Sequence, residues 1–177
     1  YRMQSKVILV TTAFLLVLPT LYFYCFEFTA GSARQRILLS MFQSVTPRTA
    51  GFNTADLAAM DSTSQALMVV LMLLGGSPSS TAGGMKTTTF AVLLANMWAT
   101  FRRRDDAEFF GRRIDGSAVK NAATIAGMYL TLFFLGAFVI AAAEQLPMSV
   151  CLYETASAVA TVGLTLGITP QLGILSQ

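Results

Sequence analysis

The chain contains no histidine among its 177 residues, which removes imidazole metal ligands and histidine-based acid–base catalysis. It has two cysteines, Cys25 and Cys151, far apart and set in apolar runs instead of a CxxC spacing. They read as plain membrane-core residues and say little about redox compartment. Charge is scarce as well, at 12% of residues against 54% hydrophobic, too little polar surface to cover a soluble domain. An integral membrane protein follows. The uncharged spans hold no convergent acid, base or nucleophile set, so an enzyme is not expected. The net charge of +3 does not point to nucleic acid, because the basic residues cluster as in a cytoplasmic loop and lack interleaved aromatics for base stacking. The N-terminus has none of the marks of a cleaved secretion signal, so its first apolar run is expected to be a retained span. The chain begins abruptly, as a fragment is expected to.

Residues 7–26 carry no charge and reach about 30 Å as a helix, the thickness of a bilayer core. Pro19 is expected to kink this span, and Arg2 and Lys6 place its start in the cytoplasm. Residues 34–46 then read as a short helix, since Ile37, Leu38, Met41, Phe42 and Val45 recur at three-to-four spacing. Pro47 ends it, and the polar surface returns at 56–61. The run 62–101 would reach about 60 Å if wholly helical, more than one crossing needs. Four glycines and a proline at 75–84 interrupt it, so a helix broken at membrane depth is expected. Arg102, Arg103, Arg104, Arg112, Arg113 and Lys120, with Asp105, Asp106, Glu108 and Asp115 among them, form a strongly charged stretch that the positive-inside rule makes cytoplasmic. A second uncharged span at 121–143 follows, with Glu144 at the outer edge and Pro147 as the first residue of a second short helix, 148–158. Pro170 and Gly173 read as outer surface.

Each short helix delivers the chain into the same pattern, Thr49-Ala50-Gly51-Phe52 and Thr161-Val162-Gly163-Leu164, whose glycines are 112 residues apart (163 − 51 = 112). A half-span helix followed by irregular backbone is a re-entrant loop, permitted at membrane depth only where it lines water or is buried in protein. A desolvated monovalent cation needs several oxygens at once, and carbonyls supply them where the backbone turns them to one side, which glycine does at little steric cost. The C-terminal end of a short helix aimed at that spot adds roughly half a negative charge. One Thr-x-Gly alone is equally a turn tripeptide; two in the same topological position point to a cation filter of carbonyls at Thr49, Ala50, Gly51, Phe52, Thr161, Val162, Gly163 and Leu164.

The interruption, Gly75-Gly76-Ser77-Pro78-Ser79-Ser80-Thr81-Ala82-Gly83-Gly84 with Lys86 after it, is not a phosphate-binding loop, because Met85 separates glycine from lysine and no strand precedes it. It reads as a flexible plug beneath the filter, or as a Gly/Pro kink packed against a neighbour. Arg48 either braces the loop by donating to its carbonyls or faces external water. Glu154 either ties the second short helix to its loop or attracts cations. The arginine run 102–104 is a topology determinant, or a dock for an acidic cytoplasmic partner.

Ser44-Val45-Thr46-Pro47-Arg48-Thr49-Ala50-Gly51-Phe52-Asn53-Thr54, the stretch from Gly75 to Lys86, and Ala160-Thr161-Val162-Gly163-Leu164 together closely resemble the membrane subunit of the Trk/Ktr/HKT superfamily of potassium transporters, its Ktr-type pore subunit in particular. The resemblance implies an all-α integral membrane fold like that of a potassium channel, four M1-P-M2 repeats with re-entrant pore helices around one pore. It implies potassium uptake across the cell membrane and an intramembrane gating loop at 75–84. Sodium, as a permeant, coupled or activating ion, is the alternative within that fold; a membrane scaffold without transport is the alternative outside it. The resemblance further implies a multi-pass protein in lipid, a homodimer, and a cytoplasmic nucleotide-binding regulatory subunit. On this reading residues 1–105 are the third repeat, 106–120 a cytoplasmic loop, and 121–177 the first span and pore loop of the fourth. Two repeats and the last span lie outside the chain, which covers the C-terminal half of the pore subunit.

Overall fold

The structure, a computed structural model, describes residues 3–104, 106–169 and 173. Arg2, Asp105 and Pro170, used above as markers of topology and surface, lie outside these residues. The fold is mostly helical. α1 (Met3–Tyr22) runs through Pro19 and then widens into a single π-helical turn, Phe23–Glu27, closed by the Phe28 N–H donating to Phe23 O at 2.8 Å. That turn places Phe23 in the core with no exposed surface. α2 (Ala33–Val45) begins one residue earlier than expected because Ser32 and Gln35 form a reciprocal capping box. Arg36 secures the turn before it, donating from Nε to Phe28 O at 2.6 Å and from Nη2 to Tyr24 O at 2.9 Å.

α3 (Ser62–Leu73) and α4 (Thr87–Phe101) are separated by the glycine-rich stretch. A β-hairpin follows, β1 (Glu108–Phe109) against β2 (Arg112–Arg113), then α5 (Gly116–Glu144) and α6 (Met148–Val159). The hairpin and the first turn of α5 occupy 106–120, a stretch read from sequence as loop. Phe110 and Gly111, both with positive φ (49° and 73°), make the two-residue turn whose twist matches paired strands. Asp115 caps α5 by accepting from the Ser117 N–H. Pro147 is the residue before α6, not its first residue.

α1 packs on α2 and α4, α5 on α4 and α6, and α3 on α6. The largest core cluster, including Phe23, Met68, Met72, Tyr153, Ala156 and Val162, sits where α3, α6 and the second Thr-x-Gly loop meet. α5 approaches α6 closely at Gly136, where a Cβ would lie 2.7 Å from Thr155 Cγ2; small residues at helix contacts are the usual device for packing in lipid. α1 with its π turn and α5 are each long and apolar enough to cross a membrane. Both turn large apolar side chains outward, among them Leu9, Phe14 and Leu18 on α1 and Met128, Leu135 and Phe138 on α5.

One sequence reading changes here, and the face that α2 buries is one its periodicity did not give. The apolar stripe of α2, Ile37, Leu38, Met41 and Val45, is exposed, while Ser40, Gln43 and Ser44 are buried. Gln43 Nε2 lies 3.0 Å from Met68 Sδ, and Ser44 Oγ lies 2.8 Å from Thr20 Oγ1. In the stretch 56–61, Leu57 and Met60 are core residues, although Asp56 and Asp61 are exposed. Cys151 is buried as expected; Cys25 is exposed on the outer face of the π turn.

Candidate functional site

α2 ends at Val45 because Pro47 cannot continue the ladder, and the chain turns sharply: the Ala50 and Gly51 N–H groups both donate to Thr46 O at 3.1 Å. α6 ends in a similar turn, with the Val162 N–H donating to Ser157 O at 2.8 Å. The two loops then share a backbone pattern. Thr49 (φ 70°) and Gly51 (φ 73°) match Thr161 (φ 55°) and Gly163 (φ 87°), while Ala50 and Val162 between them keep ordinary φ. Positive φ at a β-branched threonine is a strained conformation that only surrounding structure can hold, at about 1–3 kcal/mol each.

The loops touch. A Cβ built on Gly51 would lie 2.1 Å from Val162 O and 3.3 Å from its carbonyl carbon. Different residues fix the two exits. In the first loop the Thr46 hydroxyl donates to Phe52 O at 2.6 Å. In the second, Glu154 Oε1 accepts from Thr165 Oγ1 at 2.7 Å and from the Leu166 N–H at 2.8 Å, and Oε2 accepts from Thr169 Oγ1 at 2.9 Å. Glu154 is buried, and its carboxylate spans from α6 to the chain beyond Gly163. A space of about 520 Å³ adjoins this loop, lined by Glu154, Thr161, Val162, Gly163 and Thr165 among others.

The interrupted helix lies against both loops. Leu74 and Met85 pair as a parallel bridge, with the Met85 N–H donating to Leu73 O at 2.9 Å and the Thr87 N–H to Gly76 O at 3.1 Å. Because the two passes run parallel, the chain leaves the interruption in the direction in which it entered. The ten residues between form a looped-out bubble on one advancing strand. Its base is tight: a Cβ on Gly75 would lie 1.9 Å from Gly83 O, and Gly84 has φ 69° with Met72 O 3.0 Å from its Cβ position. Gly76 faces Ala82 Cβ and Ser80 Oγ, side chains within the bubble. Its tip, Ser79, Ser80 and Thr81, is exposed, and Ser77 to Ser80 close a turn through Pro78 and Ser79 (φ 68°). Lys86 staples the bubble, donating from Nζ to Ala82 O at 2.5 Å and Ser80 O at 3.2 Å.

Gly83 meets the second loop, where its Cβ position is 2.1 Å from Thr161 Oγ1 and 2.4 Å from Ala160 O. Arg48 reaches from the first loop to the bubble, with Nη2 3.4 Å from Gly75 O, while its Nε is buried without a partner among the described residues. The arginine thus donates to the bubble and not to carbonyls of its own loop. Of the residues singled out from sequence, Arg48, Gly51, Gly75, Gly83, Thr161 and Val162 are therefore brought together, while the Phe52 side chain is exposed. Thr46, Thr165 and Thr169 were missed, since a lone hydroxyl carries no positional signal until its acceptor is placed.

The sequence model of a family described as TrkH, cation transport protein, matches residues 3–177. Potassium/sodium uptake protein NtpJ of Enterococcus hirae is 38% identical over 184 residues, covering 99% of this chain and 41% of that protein. Ktr system potassium uptake protein B is 35% identical in Bacillus subtilis, over 97% of this chain and 40% of the relative. The protein of the same name in Vibrio alginolyticus is 34% identical, over 97% and 39%. The chain spans about two-fifths of the length of these relatives.

Proposed function

Because this chain belongs to the TrkH family of cation transport proteins, we propose that it forms two of the four walls of a potassium-conducting pore, with the carbonyls of residues 49–52 and 161–164 as the filter. The observation that carries the reading is the shared positive φ at Thr49 and Thr161 and at Gly51 and Gly163, in two loops in backbone contact. Positive φ at alternate residues is a backbone that turns carbonyl oxygens to one side, and oxygens so arranged replace the hydration shell of a monovalent cation. The α2 and α6 C-termini both point into these loops and add partial negative charge at no titratable cost.

On this reading α1, α2, α3 with α4, and then α5 and α6, are one complete and one partial span–pore helix–span unit. The 75–84 bubble lies on the inner side of the filter, where it obstructs conduction until it withdraws. Arg48 and Glu154 are supports, the first linking filter to bubble and the second holding the exit of the second loop. The potassium/sodium name of one relative supports sodium as a second permeant or coupled ion. The whole protein would act in the cell membrane, as a dimer, with a cytoplasmic nucleotide-binding subunit. The test is ion uptake by the full-length protein in cells lacking their own potassium uptake. Gly51→Ser with Gly163→Ser is expected to reduce uptake and the preference for K⁺ over Na⁺; unchanged rate and preference would overturn the filter.

A further inference from the structure

The hairpin of β1 and β2 is anchored at its base and exposed at its tip. Ala107 and Ile114 share a buried cluster with Ala99 of α4, and the Ile114 N–H donates to Ala107 O at 2.8 Å. From this base the tip reaches across to the start of α1. There Lys6 Nζ stands 5.9 Å from the centre of the Phe110 ring, within cation–π range. Met3, Lys6, Phe110 and Arg112 enclose a cleft of about 70 Å³, with room for a small charged group and not for an acyl chain.

Lys6 directly precedes the uncharged run 7–26 of the first span, which puts it at the level where hydrocarbon gives way to headgroups. Phe110 and Arg112, beside it, share that level. Phe110 is 59% exposed and adopts φ 49°, at a hairpin position where asparagine or glycine is usual. A large ring kept there against its backbone preference suits an apolar boundary better than open water.

Both charges lining the cleft are positive. The described carboxylates of the hairpin and its flanks are engaged elsewhere: Asp106 pairs with Arg113 at 2.9 Å, Glu108 lies 3.7 Å from Arg104, and Asp115 accepts from the Ser117 N–H. Lys6 and Arg112 make no ion pair among the described residues. An acidic peptide would meet the same two charges but would leave the Phe110 ring without an apolar partner. A lipid surface meets both.

We propose that the hairpin tip docks on the anionic cytoplasmic leaflet, Phe110 entering the headgroup boundary while Lys6 and Arg112 hold the phosphate of an anionic phospholipid. The inference rests on α1 as a membrane span and is independent of the filter. It is tested by hydrogen exchange, read by mass spectrometry on peptides covering residues 106–114, with the full-length protein in nanodiscs of phosphatidylglycerol or phosphatidylcholine. Wild type is expected to exchange more slowly in phosphatidylglycerol. K6Q and R112Q should each lower that excess protection roughly fivefold, while K6R/R112K keeps it. Phe110→Ala should lose protection in both lipids, since entry of the ring does not depend on headgroup charge. Equal exchange of wild type in the two lipids overturns the proposal, as does unchanged protection in K6Q/R112Q or in Phe110→Ala. Equal protection from inorganic phosphate added to wild type in detergent overturns it too, because the cleft then takes a free anion. Exchange is read without ion flux, so failure of the ion-uptake test leaves this result standing on its own.

Discussion

Gly51 rests against the carbonyl of Val162, with no room for a Cβ between them, whereas Gly163, its counterpart 112 residues on, has nothing within 4 Å of its Cβ position. Two glycines that look alike in sequence therefore differ in what a methyl group would cost. At Gly163 an alanine brings only the strain of φ 87°, about 1–2 kcal/mol. At Gly51 it brings similar strain and a backbone overlap that no side-chain movement relieves. Gly163→Ala is expected to retain measurable K⁺ uptake and Gly51→Ala to abolish it, in full-length protein at matched membrane expression. Equal loss in both would contradict the asymmetry.

Gly83 and Gly76 separate contact with the second Thr-x-Gly loop from integrity of the bubble. A methyl group on Gly83 would strike Thr161 Oγ1 and Ala160 O, pushing the bubble off the second loop. One on Gly76 meets the Ser80 and Ala82 side chains, which can shift. Gly83→Ala is expected to raise cation leak through closed transporters reconstituted in vesicles, and Gly76→Ala to change it little. Arg48→Gln, which shortens the link to Gly75 O, should also raise leak.

Glu154 holds three donors with one carboxylate. Hydrogen bonds to a charged group contribute roughly 1.5–3 kcal/mol each, so Glu154→Gln should lower the midpoint of thermal unfolding of the full-length protein in detergent by several degrees. Thr165→Val alone should lower it less. Combining the two should add less than their sum, since they remove one shared bond.

Asp115 lies outside the span, at the start of α5. Its side-chain bond with Ser117, then the Ser117 backbone N–H, hold the carboxyl below the usual carboxylate range, against a smaller opposing effect of desolvation. A lowered pKa in the folded state means that the cap stabilises α5 fully above the unfolded carboxylate pKa and is lost as pH falls through the lowered value. Hydrogen exchange at the Ser117 and Ala118 amides should therefore lose protection under strongly acidic conditions. Asp115→Asn, a comparable cap that does not titrate, should show no such loss once intrinsic exchange rates are divided out.

Several elements were legible in the chain itself. Proline, glycine and the length of apolar runs act locally, so the two long helices, the short helices and the interruption at 75–84 could be placed within a few residues. The hairpin at 108–113 was not legible, because its turn pairs Gly111 with Phe110, a residue that seldom takes positive φ. Nor was the face that α2 buries. Periodicity reported an apolar stripe, and in water such a stripe faces the core; here the polar side is inward, against Thr20 and Met68.

By itself, then, the sequence determined that this is a helical membrane chain with two Thr-x-Gly loops and a broken helix between them, since chain stiffness and hydrophobic length depend only on neighbours along the chain. Tertiary structure decided that Thr49 and Thr161 adopt a backbone that threonine disfavours, that Arg48 serves the bubble and not its own loop, and that Gly51 tolerates no side chain. The last two depend on an oxygen contributed from far along the chain, Gly75 O for Arg48 and Val162 O for Gly51. Such contacts exist only once α2, α3 and α6 have converged.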